Sequence, residues 1–223
     1  MTALLRYQAA LLLRSQRWLP PVILYAAFLG IGVRNGQPVL DSLGYTAAAL
    51  LPVAAWLMRI CATNEPPAAR SCTGAAAGPV RAHLACVLVA FATAALLGTA
   101  ATVVVTFISA PTSTDHQTRV EALPAGGAGL LAALTCALLG TAVGALTNWP
   151  LLRSPGRAVP ALLLGVLLTL VMAGSPARVA ITALVDGSRH AIVPAPVLPL
   201  AAAGLLTAAA TAVACALTTR RAA

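Results

Sequence analysis

Residues 84–108 run for 25 positions without a single charged side chain. A helix crosses a hydrocarbon core about 30 Å thick in roughly 20 residues, and inside lipid every backbone N–H and C=O must be satisfied within the segment itself. Stretches of this length therefore read as spanning helices. The chain is 60% hydrophobic and 9% charged, so other blocks near bilayer length flank this one. The expected fold is an all-α polytopic membrane protein, with residues 1–223 forming one transmembrane domain.

The charges set an expected topology. All 14 basic residues are arginine, none is lysine, and the formal net charge is +9. With the spans placed as below, Arg6, Arg14, Arg17, Arg59, Arg70, Arg81, Arg153, Arg157, Arg220 and Arg221 share one side with a single acid, Glu65. Arg34, Arg119, Arg178 and Arg189 share the other with Asp41, Asp115, Glu121 and Asp186. Arginine enrichment marks cytoplasmic loops, so both termini are expected inside a cell membrane. The positive balance is a topology signal, and no nucleic-acid partner is expected.

Taken in order, residues 1–18 read as a helix lying in the cytoplasmic interface. At about 100° per residue, Arg6, Arg14 and Arg17 fall within roughly 80° of one another, with Tyr7 and Trp18 as amphipathic anchors. A secretory signal is the competing reading of this arginine-rich start. Further spans follow it and no A-x-A-like site precedes a soluble domain, so it is set aside. Residues 19–60 hold spans one (21–33) and two (40–60), the second interrupted by Pro52 and capped by Asp41. Residues 61–82 form a cytoplasmic segment in which Asn64-Glu65-Pro66-Pro67 starts a short helix that Gly74 stops. That helix is either a handle for a soluble partner or a basic loop that fixes topology.

Residues 83–149 hold spans three (83–108) and four (125–149), joined by the irregular outer loop 111–124. His83, at the cytoplasmic end of span three, reads as an interfacial surface residue. Cys136, Gly140 and Gly144 recur every fourth residue and form a stripe that lets another helix approach closely. Asn148-Trp149-Pro150 with Arg153 and Arg157 makes a cytoplasmic turn. Residues 158–219 hold spans five (159–173) and six (197–217). Between them PARVAITALVD, stopped by Gly187, is an amphipathic helix too short to span, expected to dip into the outer leaflet or lie on it. The total is six spans.

The residues exclude several chemistries. Without lysine there is no P-loop or Schiff base, and there is no nucleophile–base pair or paired carboxylate. His116 with Asp115 and Glu121 is too loose a group for a metal. Cys61, Cys72, Cys86, Cys136 and Cys215 have no CxxC spacing and read as packing residues. No enzyme activity and no cofactor are expected, and ion-coupled transport finds almost no intramembrane ionisable group. The chain supplies a pathway or a scaffold, and any ATP would be hydrolysed by another subunit.

This order of elements, with RSQRWLPP, TNEPPAAR and LLGTAVGAL, resembles the membrane subunit of type-2 ABC exporters, particularly the small actinobacterial permeases. The likeness covers essentially the whole chain and is architectural. It implies a connecting helix bearing Arg6, Arg14 and Arg17. It implies a coupling helix in which Glu65, Pro66, Pro67, Ala68, Ala69 and Arg70 touch a partner ATPase. A second permease copy or sister permease in a bacterial membrane would complete the pathway. Spans one and five are short for that family. A non-transporting membrane scaffold or immunity protein is the alternative left open.

Overall fold

The computed structural model describes residues 1–115, 117–148, 151 and 154–222. Trp149, Pro150, Arg153 and His116, invoked above for a turn, a topology count and a loop, lie outside the described residues. Among the described residues run nine helices: α1 (Thr2–Ser15), α2 (Leu19–Gly32), α3 (Val39–Asn64), α4 (Pro67–Ala77), α5 (Pro79–Ile108), α6 (Ala122–Leu146), α7 (Pro155–Val171), α8 (Pro176–His190) and α9 (Val197–Ala222).

Proline and glycine set most of the boundaries. Pro20 and Pro21 occupy the first turn of α2, where a missing N–H costs nothing. α3 begins after Pro38 and ends at Asn64, because the residue before a proline is driven out of the helical region. Glu65 precedes Pro66 and is extended, with ψ 125°; Pro66 precedes Pro67 and is extended too, with ψ 148°. Gly74 does not stop α4. The helix runs through it to Ala77, and Gly78, at φ +88°, makes the break. That backbone suits glycine because no Cβ opposes it. Pro79 then opens α5 four residues ahead of the expected start at His83. α8 likewise runs through Gly187 to His190.

Among the described residues four helices are long and apolar enough to cross a membrane: α3, α5, α6 and residues 197–218 of α9. α7 and α8 pass the same test together, bent by 44° at their junction, and would make a fifth. α2 is apolar but has only 14 residues, about 21 Å at 1.5 Å per residue.

α3 and α6 form the centre. In each, 67% of the most apolar window is buried, against 44% in α5 and 28% in α9. The two run in the same direction: Leu43 meets Gly129, Ala54 meets Gly140 and Met58 meets Gly144. A Cβ on Gly140 would stand 2.8 Å from that of Ala54 and would also strike the Leu51 carbonyl; on Gly144 it would stand 2.6 Å from the Met58 Cβ. Cys136, on the same stripe, is fully buried. The outer faces of α5 and α9 instead expose Leu96, Phe107, Leu198 and Leu205, each more than 70% accessible. Such an apolar girdle matches a hydrocarbon surround.

α8 packs one face against the bundle and leaves the other, with Arg178, Thr182, Asp186 and Arg189, exposed. Leu184 is fully buried, and Ile181, Leu184 and Val185 close over Gly44 of α3. The amphipathic pattern is real, but its apolar side packs on the bundle.

Candidate functional site at the α1–α3–α4 junction

The last turn of a helix leaves carbonyls without partners. At the end of α3 this need is met by the following helix: Arg70 Nη2 donates to the carbonyls of Ala62 (2.7 Å) and Glu65 (3.1 Å). Its cationic charge also suits the negative end of the helix dipole. Asn64 Nδ2 meanwhile donates to the Leu11 carbonyl of α1 at 2.9 Å. The turn is thus tied to both neighbours.

Glu65 sits at the centre of the junction. It is only 4% exposed, and its carboxylate accepts hydrogen bonds from Tyr7 Oη (3.2 Å), Gln8 Nε2 (3.3 Å) and Thr73 Oγ1 (3.0 Å). The ordered acceptor therefore joins α1 and α4 across the end of α3. Partial burial, and then the Glu65 carboxylate, raise the pKa of the Tyr7 phenol above its usual value. His83 stands in the second turn of α5, on the face that also buries Cys86, Val87 and Ala90. It is 5% exposed, and its Nε2 has no hydrogen-bond partner among the described residues. The expectation of a surface histidine is corrected.

The residues assigned from sequence to one exposed contact divide into two groups. Glu65 turns inward. Pro66, Pro67 and Ala68 are exposed, Ala69 and Arg70 half-buried, and no residue of α4 is buried. Arg6 and Arg14 are exposed on α1 and Arg17 just beyond its end. Cys136, Gly140 and Gly144 lie in the α3–α6 contact, away from this junction. Sequence reasoning missed Gln8 and Thr73. One signal was present: Gln8 stands on the same helix face as Leu5 and Leu12, where a polar side chain needs a buried partner.

A second polar clasp lies at the same end of the bundle. Asn148, 1% exposed, accepts from Arg59 Nη1 at 2.8 Å and donates to the Gly144 carbonyl at 2.7 Å. At the opposite end, Asp41 is not the N-cap of α3, a position held by Pro38. It stands in the first turn and accepts from Thr114 Oγ1 at 3.0 Å, tying the loop before α6 to α3. Thr114 also reaches Ser188 of α8, at 2.9 Å. Among the described residues no group of three or more His, Cys, Asp or Glu side chains could hold a metal.

Compared with protein-family models, curated proteins and solved structures, the chain finds no match. The class its elements define is an all-helical protein of the multi-pass membrane type, with four or five helices able to cross.

Proposed function

We propose that this chain is the permease subunit of an ATP-driven exporter of the type-2 ABC kind, working in a bacterial cell membrane with a separate ATPase and a second permease copy or sister chain. The observation that carries the reading is α4, a short helix with no buried residue, fixed to α3 and α1 through one buried carboxylate. A helix so held transmits a push as a rigid lever. Lysine is absent from the chain, so the nucleotide-cradling lysine of a P-loop must come from the partner. On this reading α2 and α7 complete six spans by tilting neighbours or thinning the bilayer locally, and both termini face the cytoplasm.

Within this proposal the roles of the coupling residues separate. Pro66, Pro67, Ala68 and the exposed Ser71 and Cys72 meet the ATPase, Ala69 and Arg70 support that face, and Glu65 holds the lever from inside. The test is purification of the tagged chain from native membranes in mild detergent. A stoichiometric soluble protein with a P-loop lysine is expected, lost from the variant A68R/C72R while permease thermal unfolding stays unchanged. Recovery of the chain alone, or with an unrelated membrane protein, overturns the transport reading and moves the scaffold or immunity reading ahead.

A further inference from the structure

α1 has two opposed sides. Gln8 and Leu12 are each 3% exposed, and Leu5 and Ala9 pack beside them against the ends of α3 and α5. On the other side of α1 Arg6 and Arg14 are exposed, roughly 80° apart around the helix, with Leu13, 65% exposed, beside Arg6, and Arg17, just past the end of the helix, is exposed as well. Gln16, left-handed at φ 54°, ends the helix, and the Trp18 indole donates back to the Leu13 carbonyl at 3.4 Å. The apolar α2 starts two residues after Arg17, exposing Ile23 and Ile31. The arginines thus stand where the polar and apolar surfaces of the molecule meet.

Among the described residues none forms an ion pair with them. Glu65 is the one acid at this end, and its carboxylate is buried and engaged by Tyr7, Gln8 and Thr73. Asp41, Asp115, Glu121 and Asp186 lie at the far end, around the starts of α3 and α6 and on α8. Among the described residues the ion pair within 4.0 Å is Arg189–Asp186, also at the far end.

We infer that the exposed arginines Arg6 and Arg14 of α1, with Arg17 just beyond its end, form a docking surface for the headgroups of anionic phospholipids. Guanidinium groups bind phosphate oxygens as paired donors and keep their charge at any accessible pH. The adjoining Leu13 and α2 give the acyl chains an apolar wall, which a soluble polyanion would not need. A basic residue near an anionic leaflet contributes about fivefold in binding, so three contribute on the order of a hundredfold. The surface depends on α1 lying at the membrane interface and is independent of any ATPase.

The test uses the full chain in nanodiscs of phosphatidylcholine with a minor fraction of phosphatidylglycerol, with retained lipid identified by native mass spectrometry. Wild type should keep phosphatidylglycerol in preference. R6Q/R14Q/R17Q should lose the preference, R6K/R14K/R17K should restore most of it, and high salt should weaken it. Equal retention of both lipids by wild type, or an unchanged preference in the glutamine variant, overturns the inference. Quenching of Trp18 by brominated lipid, in a W56F/W149F background, separates the two failures. Quenching without preference refutes headgroup selection alone, whereas no quenching refutes the interfacial placement of α1 itself.

Discussion

Gln8 on α1 donates to the Glu65 carboxylate at 3.3 Å, across 57 positions of sequence, with both residues almost wholly inside the protein. The bond makes the end of α3 a fixed point from which α1 and α4 both hang, since Tyr7 and Thr73 share the same acceptor.

Removing that acceptor should therefore cost more than removing an exposed charge. Glu65→Ala strands the buried Gln8 amide, a loss of about 1–3 kcal/mol, whereas Tyr7 can turn to solvent and Thr73 keeps the Ala69 and Arg70 carbonyls. Glu65→Gln keeps an oxygen acceptor and should lose less. The check is the thermal unfolding midpoint of detergent-solubilised protein, which should order wild type, Glu65→Gln and Glu65→Ala from highest to lowest; equal midpoints would mean the junction is not a structural clasp.

The α3–α6 contact predicts a sharp contrast among glycines. At Gly144 an added Cβ would stand 2.6 Å from Met58 Cβ, whereas at Gly204 of α9 nothing lies within 4 Å. Gly144→Ala must push the two central helices apart, costing about 1–3 kcal/mol. Gly204→Ala should be neutral or stabilising by up to about 1 kcal/mol, as alanine favours a helix over glycine. Urea or thermal unfolding of the two variants measures the difference, and equal effects would refute the close approach.

Gly78 separates α4 from α5 at φ +88°, and a Cβ added there would meet nothing within 4 Å. Space is available, so the cost of Gly78→Ala is backbone strain alone, about 1–3 kcal/mol. Proteolysis should report it: cleavage in the α4–α5 connection of Gly78→Ala should quicken several-fold while the rest of the bundle stays resistant. A wild-type cleavage pattern would show that the positive φ is not needed.

Much of this architecture was legible in the residues. The apolar runs produced α3, α5, α6 and α9, the prolines at 67 and 176 marked starts, and the small stripe of α6 lies where α3 comes closest. Two glycines misled for one reason: Gly74 and Gly187 looked like stops, yet each lies inside a helix. A glycine inside a helix costs only about 1 kcal/mol relative to alanine, which packing can offset, and the next break depends on neighbours that local pattern does not contain. Span number is another case, since a 14-residue α2 and a bent α7–α8 pair fall at the margin of what length alone decides.

By itself the sequence determined that the chain is helical, apolar and charged asymmetrically, because hydrophobic run length, proline position and arginine placement act locally or additively. Only tertiary structure decided which side chains face inward. Glu65, read as an exposed contact, is buried because Gln8 and Tyr7, some 58 positions earlier, and Thr73, 8 later, converge on it. His83 is buried because it shares the face of α5 that carries Cys86, Val87 and Ala90 into the core, and α8 turns its apolar side to α3. Hydrogen-bond partners so distant in sequence become neighbours only when the bundle closes, and that closure gives a buried carboxylate the donors it needs.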